Sequence, residues 1–159
     1  MTESLLELRQ FLASLPWIAV DQTVELSEAY CRQGQANFLG RKDLPFLIFE
    51  KDTAELVGAV GLHRMAWDTP KVEVGYWGRT TKAGNGYISE AVMAIVDFAF
   101  EHIRAARVEL ITDEENTPSR RVAERCLFQL EGILRHERRA PDGTLRNTCI
   151  YARFPEGTQ

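Results

Sequence analysis

Residues 73–100 read EVGYWGRTTKAGNGYISEAVMAIVDFAF, and this stretch decides the fold. A strand ending in the aromatics Tyr76 and Trp77 runs into a turn carrying Gly84 and Gly86. The turn opens directly into an amphipathic helix, expected from Gly86 to about His102, with Ala91, Ile95, Phe98 and Ala99 on its buried side. Glycine adopts backbone angles denied to other residues and leaves no side chain over the amides. Successive N–H groups from about Ala83 to Ile88 then point at one anion, helped by the helix dipole. A glycine-rich strand-to-helix turn is structural at least as often as it is a ligand site. The dinucleotide fingerprint GxGxxG is absent, and so is the GK[ST] ending of a nucleotide-triphosphate loop.

Working outward, the strand itself covers residues 71–77, with Val72, Val74 and Tyr76 on one face and Glu73 and Gly75 on the other. Phe46–Phe49 and Leu56–Leu62 read as two earlier strands joined by the polar turn Lys51-Asp52-Thr53-Ala54, a hairpin. Ahead of them, residues 3–14 place Leu5, Leu8, Phe11 and Leu12 at helical spacing until Pro16, and Asp21 is positioned to cap a second helix running to about Gln35. Downstream, Arg107–Ile111 is a strand, and Asn116 or Thr117 caps a short helix with Pro118 in its first turn and Val122, Ala123 and Cys126 inward. A long hairpin, about 127–137 and 145–153, closes the chain around Pro141-Asp142-Gly143-Thr144, where Asp-Gly is a strong turn signal. Strands interleaved with helices give an α/β, α+β layered domain and exclude a helical bundle.

With 159 residues, 45% of them hydrophobic, the chain suits a single domain over residues 1–159. Its net charge of −4 argues against a dedicated nucleic-acid binder. Cys31, Cys126 and Cys149 have no paired spacing, and His63, His102 and His136 are scattered, so neither disulfides nor a metal site is expected. Charges interrupt every apolar run before it is long enough to span a bilayer, and the N-terminus has no export signal. A cytoplasmic protein without membrane contact is the expectation.

Asn116-Thr117-Pro118-Ser119 forms a second feature of interest, following a strand and opening a helix. Read locally, Asn116 is as readily a plain cap and Ser119 a solvent-facing residue as either is a ligand contact. Taken in order, Glu73-Val74-Gly75-Tyr76-Trp77, Gly84-Asn85-Gly86-Tyr87 with Ser89-Glu90-Ala91, Asn116–Glu124, and the tail from Leu130-Glu131-Gly132 through Asp142–Arg146 to Tyr151-Ala152-Arg153 resemble the GCN5-related N-acetyltransferases (GNAT). The similarity is to the branch of ribosomal-protein serine and alanine N-acetyltransferases and runs from Leu8 onward.

That resemblance implies a central mixed, mostly antiparallel sheet flanked by helices, with acetyl-CoA as cosubstrate in a V-shaped gap between the strands at 71–77 and 107–112. It assigns pantetheine pairing to the backbone of Trp77, Gly78 and Arg79, and the pyrophosphate to the amides of Ala83, Gly84, Asn85, Gly86 and Tyr87. Asn116 falls near the pantetheine end, and Ser119 near the sulfur as a proton donor to the thiolate. An amine must be neutral to attack a thioester, so a base is needed. Glu73 is the first candidate, Glu137 the second and His63 the third; each carboxylate is equally readable as a salt-bridged surface residue. His63, Trp67 and Asp68 are the residues expected at the acceptor. Trp17 is the more readily a helix-packing residue, and Tyr151 a packing residue of the terminal hairpin. Arg135, His136, Arg138 and Arg139 form a basic cluster that fits an acidic peptide, the 3′-phosphate of CoA, or a solvated strand face equally well.

Four departures from the family pattern carry expectations. Ala83 removes a side-chain donor from the glycine turn and Asn85 a common positive charge, weakening CoA binding. Ile88 crowds the first helical turn. Leu127 stands where a left-handed glycine is common, so the turn there differs or bears strain. The chain also starts too late for the family's first strand, which implies an N-terminally shortened domain, a sheet one strand short and a tendency to form a homodimer. The resulting order of readings is acetyl transfer to the α-amino group of a protein or peptide, then the same reaction on a small-molecule amine, then an inactive CoA-binding relative.

Overall fold

The computed structural model describes residues 23–140 and 142–157. The helix expected over residues 3–14, Trp17 and the Asp21 cap lie outside the described residues, as does the region on which the shortened-front expectation rests. Helix α1 (Val24–Leu39) starts at Thr23, whose side chain accepts from the Leu26 N–H at 3.2 Å, and it runs four residues beyond the expected end. Thr23 therefore serves the capping role expected of Asp21; either residue type suits an N-cap, and the start of the helical backbone selects between them.

Strands β1 (Leu44–Phe49), β2 (Leu56–Ala66) and β3 (Lys71–Gly78) form an antiparallel meander. Helix α2 (Tyr87–Phe98) follows, and its last turn widens into a π-helical turn over Ala99–Ile103. That turn ends at Arg104, which takes a left-handed φ of 61°. Strand β4 (Arg107–Asp113), helix α3 (Thr117–Arg125) and the hairpin of β5 (Gln129–Arg139) and β6 (Leu145–Arg153) complete the chain. Among the described residues, six strands form one sheet in the order β1-β2-β3-β4-β6-β5, in which β3 against β4 is the single parallel pair.

The core lies between one face of this sheet and α2 with α3. Val92, Ile95, Val96 and Ala99 recur at helical spacing on α2 and pack with Leu62, Val74, Val108 and Leu110 of the sheet. The buried stripe of α2 is thus carried by Val92 and Val96 as well as by the expected Ile95 and Ala99, with Ala91 and Phe98 at its border. Ala123 and Cys126 of α3 are fully buried, and so is Tyr151, whose hydroxyl accepts from Arg120 Nε at 3.1 Å.

Leu127 follows α3 with a φ of 62° and is two-thirds exposed. Its N–H bonds Glu124 O and that of Phe128 bonds Ala123 O, so the helix stop normally built on glycine is here built on leucine. Because the side chain buries little, Leu127→Gly is expected to raise unfolding free energy by up to about 1 kcal/mol. A urea titration of both proteins checks this, and a loss of stability would mean that the leucine contributes packing that outweighs the strain.

Candidate active site

Strands β3 and β4 are in register over three residue pairs, Lys71 with Arg107, Val72 with Val108 and Glu73 with Glu109. Beyond these the strands part. β3 stays paired with β2 as far as Gly58 opposite Gly78, and the Arg79 N–H donates to Val57 O at 2.7 Å. Backbone groups alternate between the two sides of an antiparallel strand. Arg79 and Trp77 therefore turn their polar groups to β2, whereas Gly78 and Tyr76 turn theirs into the gap. The pantetheine pairing expected from sequence covers Trp77, Gly78 and Arg79 and leaves out Tyr76, because the parity of pairing is fixed only once the partner strand is known.

The Tyr76 side chain reaches from β3 to the start of α3, which follows β4. Its hydroxyl lies 2.6 Å from Ser119 Oγ and 3.3 Å from the Ser119 carbonyl. Burial pushes the phenol up to about 12, so it stays protonated and able to donate. Asn116 is the N-cap of α3, its Oδ1 accepting from the Ser119 N–H at 3.2 Å. The capping role is thus real, and Ser119 points at Tyr76 instead of at solvent.

The glycine turn stands at the same end of the sheet, after a short 3₁₀ turn at Thr80–Lys82. Gly84 and Gly86 have φ of 84° and 85°, and a Cβ built on either meets open space. Among the described residues, no backbone acceptor takes the amides of Gly84 through Ser89; the next bond is Glu90 N–H to Gly86 O. These amides at a helix start fit an anion such as a pyrophosphate. Asn85 braces the turn, its Nδ2 donating to Lys82 O at 3.1 Å. Ile88 is accommodated because Gly78 is bare: a Cβ there would lie 2.9 Å from Ile88 Cδ1. Lys82 is bound by Glu50 at 3.0 Å and Glu55 at 2.6 Å. Glu50 also accepts from the Tyr87 hydroxyl and from Thr53, and these bonds hold its carboxyl down at about 2. The β1–β2 turn thereby fastens the glycine turn from outside.

On the sheet face opposite α2, His63 of β2 stands directly across from Glu73 of β3. Its Nδ1 lies 3.2 Å from Asp43 Oδ1, and its ring folds over the paired glycines Gly61 and Gly75. Glu73 is bound by Arg64 at 2.9 Å, and burial still raises its carboxyl above the ordinary range, against the pull of Arg64. Trp67 and Asp68 sit in the turn before β3, roughly 20 Å along the strand from the glycine turn at 3.3 Å per residue. They are not brought together with Tyr76 and Ser119. Glu137 lies in a bulge of β5 and accepts from the Thr148 hydroxyl at 2.6 Å; Thr148 stands opposite Asp113 at the end of β4. Of the basic cluster, Arg138 is committed to Thr148 Oγ1 and Arg139 to Gly143 O.

A family model described as an acetyltransferase (GNAT) domain matches residues 3–129. An uncharacterized N-acetyltransferase, p20, of Bacillus licheniformis is 29% identical over 137 residues, covering 84% of this chain and 73% of that protein. The ribosomal-protein-serine acetyltransferase of Escherichia coli is 32% identical over 109 residues, 69% of this chain and 59% of that protein. Among solved structures, the RimL ribosomal alpha-N-protein acetyltransferase in complex with coenzyme A is similar with a TM-score of 0.88 at 20% identity. That match covers 99% of this chain and 88% of the other.

The raised Glu73 carboxyl has a consequence for stability. The folded protein favours the protonated form more than the unfolded chain does, so protonation lends stability at low pH that is lost as pH climbs through the raised value. Glu73→Gln removes the penalty of ionisation. Its urea midpoint is expected above wild type at pH 7, with the difference shrinking at pH 4. An advantage of equal size at both pH values would assign the effect to packing.

Proposed function

The chain belongs to the GNAT acetyltransferase family and is an acetyl-CoA-dependent N-acetyltransferase, and on that premise we propose that its acceptor is the N-terminal α-amino group of a peptide or protein. The observation that carries the site assignment is the parting of β3 from β4 after Glu73 and Glu109, with the bare amides of Gly84 to Ser89 at the open end. Acetyl-CoA supplies an activated thioester. In this reading the polar backbone of Gly78 and Tyr76 lines up the pantetheine arm as a surrogate strand, and the amides from Gly84 onward hold the pyrophosphate. Asn116 keeps its Nδ2 for the arm, since its Oδ1 is spent on the cap. Ser119 protonates the departing sulfur, and Tyr76, buried and protonated, keeps that hydroxyl aimed and supplied. Orientation of this kind accounts for a large part of the barrier in such transfers.

The peptide acceptor is supported by the similarity to ribosomal-protein acetyltransferases. Lys82 is spent on Glu50 and Glu55, so the anion is held by backbone and dipole.

Calorimetric titration with acetyl-CoA is expected to show saturable binding that weakens at least about tenfold in Gly86→Val, a change of about 1.4 kcal/mol. Undiminished binding by a folded Gly86→Val would remove the glycine turn from the site. Thiol release with hexapeptides beginning in serine or alanine is expected to exceed that with spermidine, and to fall roughly 100-fold in Ser119→Ala. Turnover of spermidine alone would overturn the peptide assignment and leave the reaction class standing.

A further inference from the structure

An acceptor that arrives as an ammonium must lose a proton before its nitrogen can attack. The Tyr76–Ser119 pair lies on the α2 side of the sheet, placed for the leaving group and not for this proton. We propose that His63, oriented by Asp43, takes the ammonium proton through Nε2, making His63 the catalytic base and Asp43 its positioning residue. The inference rests on the acetyl-transfer reading and adds to it the residue that activates the acceptor.

Three observations carry it. The first is orientation. Nδ1 of His63 is 3.2 Å from Asp43 Oδ1, while Asp43 Oδ2 accepts from Asn37 Nδ2 at 3.1 Å, and Asn37 Oδ1 accepts from Gln33 Nε2 at 2.8 Å. A carboxylate on Nδ1 holds the proton there and leaves Nε2 as the acceptor. No hydrogen bond to Nε2 is found among the described residues.

The second is a seat. The imidazole lies on two glycines that face each other across β2 and β3. A Cβ on Gly61 would come within 2.9 Å of Nε2, and one on Gly75 within 3.1 Å of Cδ2. Any side chain at Gly61 would displace the ring. Gly75 is two residues past Glu73, where β3 and β4 lose register, so Nε2 is held at the level where the gap opens.

The third is the neighbouring charge. Glu73 stands opposite His63 with its carboxylate already bonded to Arg64, and its side chain is 19% exposed; that of His63 is 39% exposed. Glu73 therefore draws the ammonium in, and the imidazole is the accessible proton acceptor. The charged and titratable groups facing the ring are Asp43 from the loop after α1, Glu73 from β3 and Arg64 on its own strand. Glu109 of β4 stands beyond Glu73, and Tyr30 of α1 faces Asp43.

The step balances. Nε2 takes one proton from the ammonium and later yields it to solvent. The freed lone pair forms the bond to the carbonyl carbon, and the C–S bond breaks with its electron pair on sulfur. The second proton on nitrogen reaches the thiolate by way of Ser119. One amide, one thiol and one released proton result.

The test measures kcat/KM against pH with the serine-initiated hexapeptide, and acetyl-CoA affinity as a check on folding. His63→Gln is expected to lose about 100- to 10,000-fold at pH 7 with acetyl-CoA affinity unchanged, and to recover as rising pH supplies free amine. Asp43→Asn is expected to lower kcat while leaving the KM for the peptide and the acetyl-CoA affinity unchanged, because it loosens the orientation of the ring without removing a contact to either substrate. A His63→Gln protein that binds acetyl-CoA and keeps the wild-type rate and profile overturns the assignment while acetyl transfer stands. A wild-type protein that binds acetyl-CoA and acetylates neither peptide nor spermidine overturns the transfer reading, and this inference with it.

Discussion

Backbone polar groups that leave water must find partners, and this constraint bears hardest where β3 and β4 separate after three registered pairs. Everything around the separation is arranged as though a further strand belonged there. Gly78 and Tyr76 offer it backbone on one side, and α2 begins at its open end with unspent amides. The core keeps the two strands apart without collapse: Val74 and Leu110, one on each strand, are both buried against the helices. A gap in a sheet is unfavourable in an empty protein, and the rest of the structure consists of what makes it tolerable.

Much of this was legible in the sequence. The alternation of Val72, Val74 and Tyr76, the glycines at 84 and 86 and the Asn116 cap each declare themselves through local chemistry, and each stands where local chemistry put it. The strain foreseen at Leu127 is present as a positive φ. What sequence could not supply was anything that depends on a second element. The Tyr76 hydroxyl meets Ser119 across 43 residues, and only the packing of α3 beside β3 brings them together. Gly61 and Gly75 look like weak points in their strands until they are seen to face each other under His63. Asp43 precedes a strand and carries no motif at all.

Electrostatics around the glycine turn follow a related logic. Lys82, in the turn just before the bare amides, is held by Glu50 and Glu55, and Tyr87 bonds the same Glu50 from the first residue of α2. Charge is used to fix the turn, and the ligand is left to dipoles. Ala83 fits this arrangement, since a turn fastened from the β1–β2 side needs no side chain of its own to define it. Asn85 serves the same end by bonding back to Lys82 O.

The sheet order β1-β2-β3-β4-β6-β5 divides the described chain into two three-stranded units of contiguous sequence, a meander over residues 44–78 and the strands β4-β6-β5 over 107–153, joined along the sheet by three parallel rungs and spanned by α2. The strand pairings of each half lie within its own stretch of sequence, and only the short β3–β4 register pairs strands of the two halves. A ligand lying along the gap would be stitched to both halves at once. Its presence would then add a second tie to the shared core that already joins them, and the least protected amides of the free protein would be those flanking the seam.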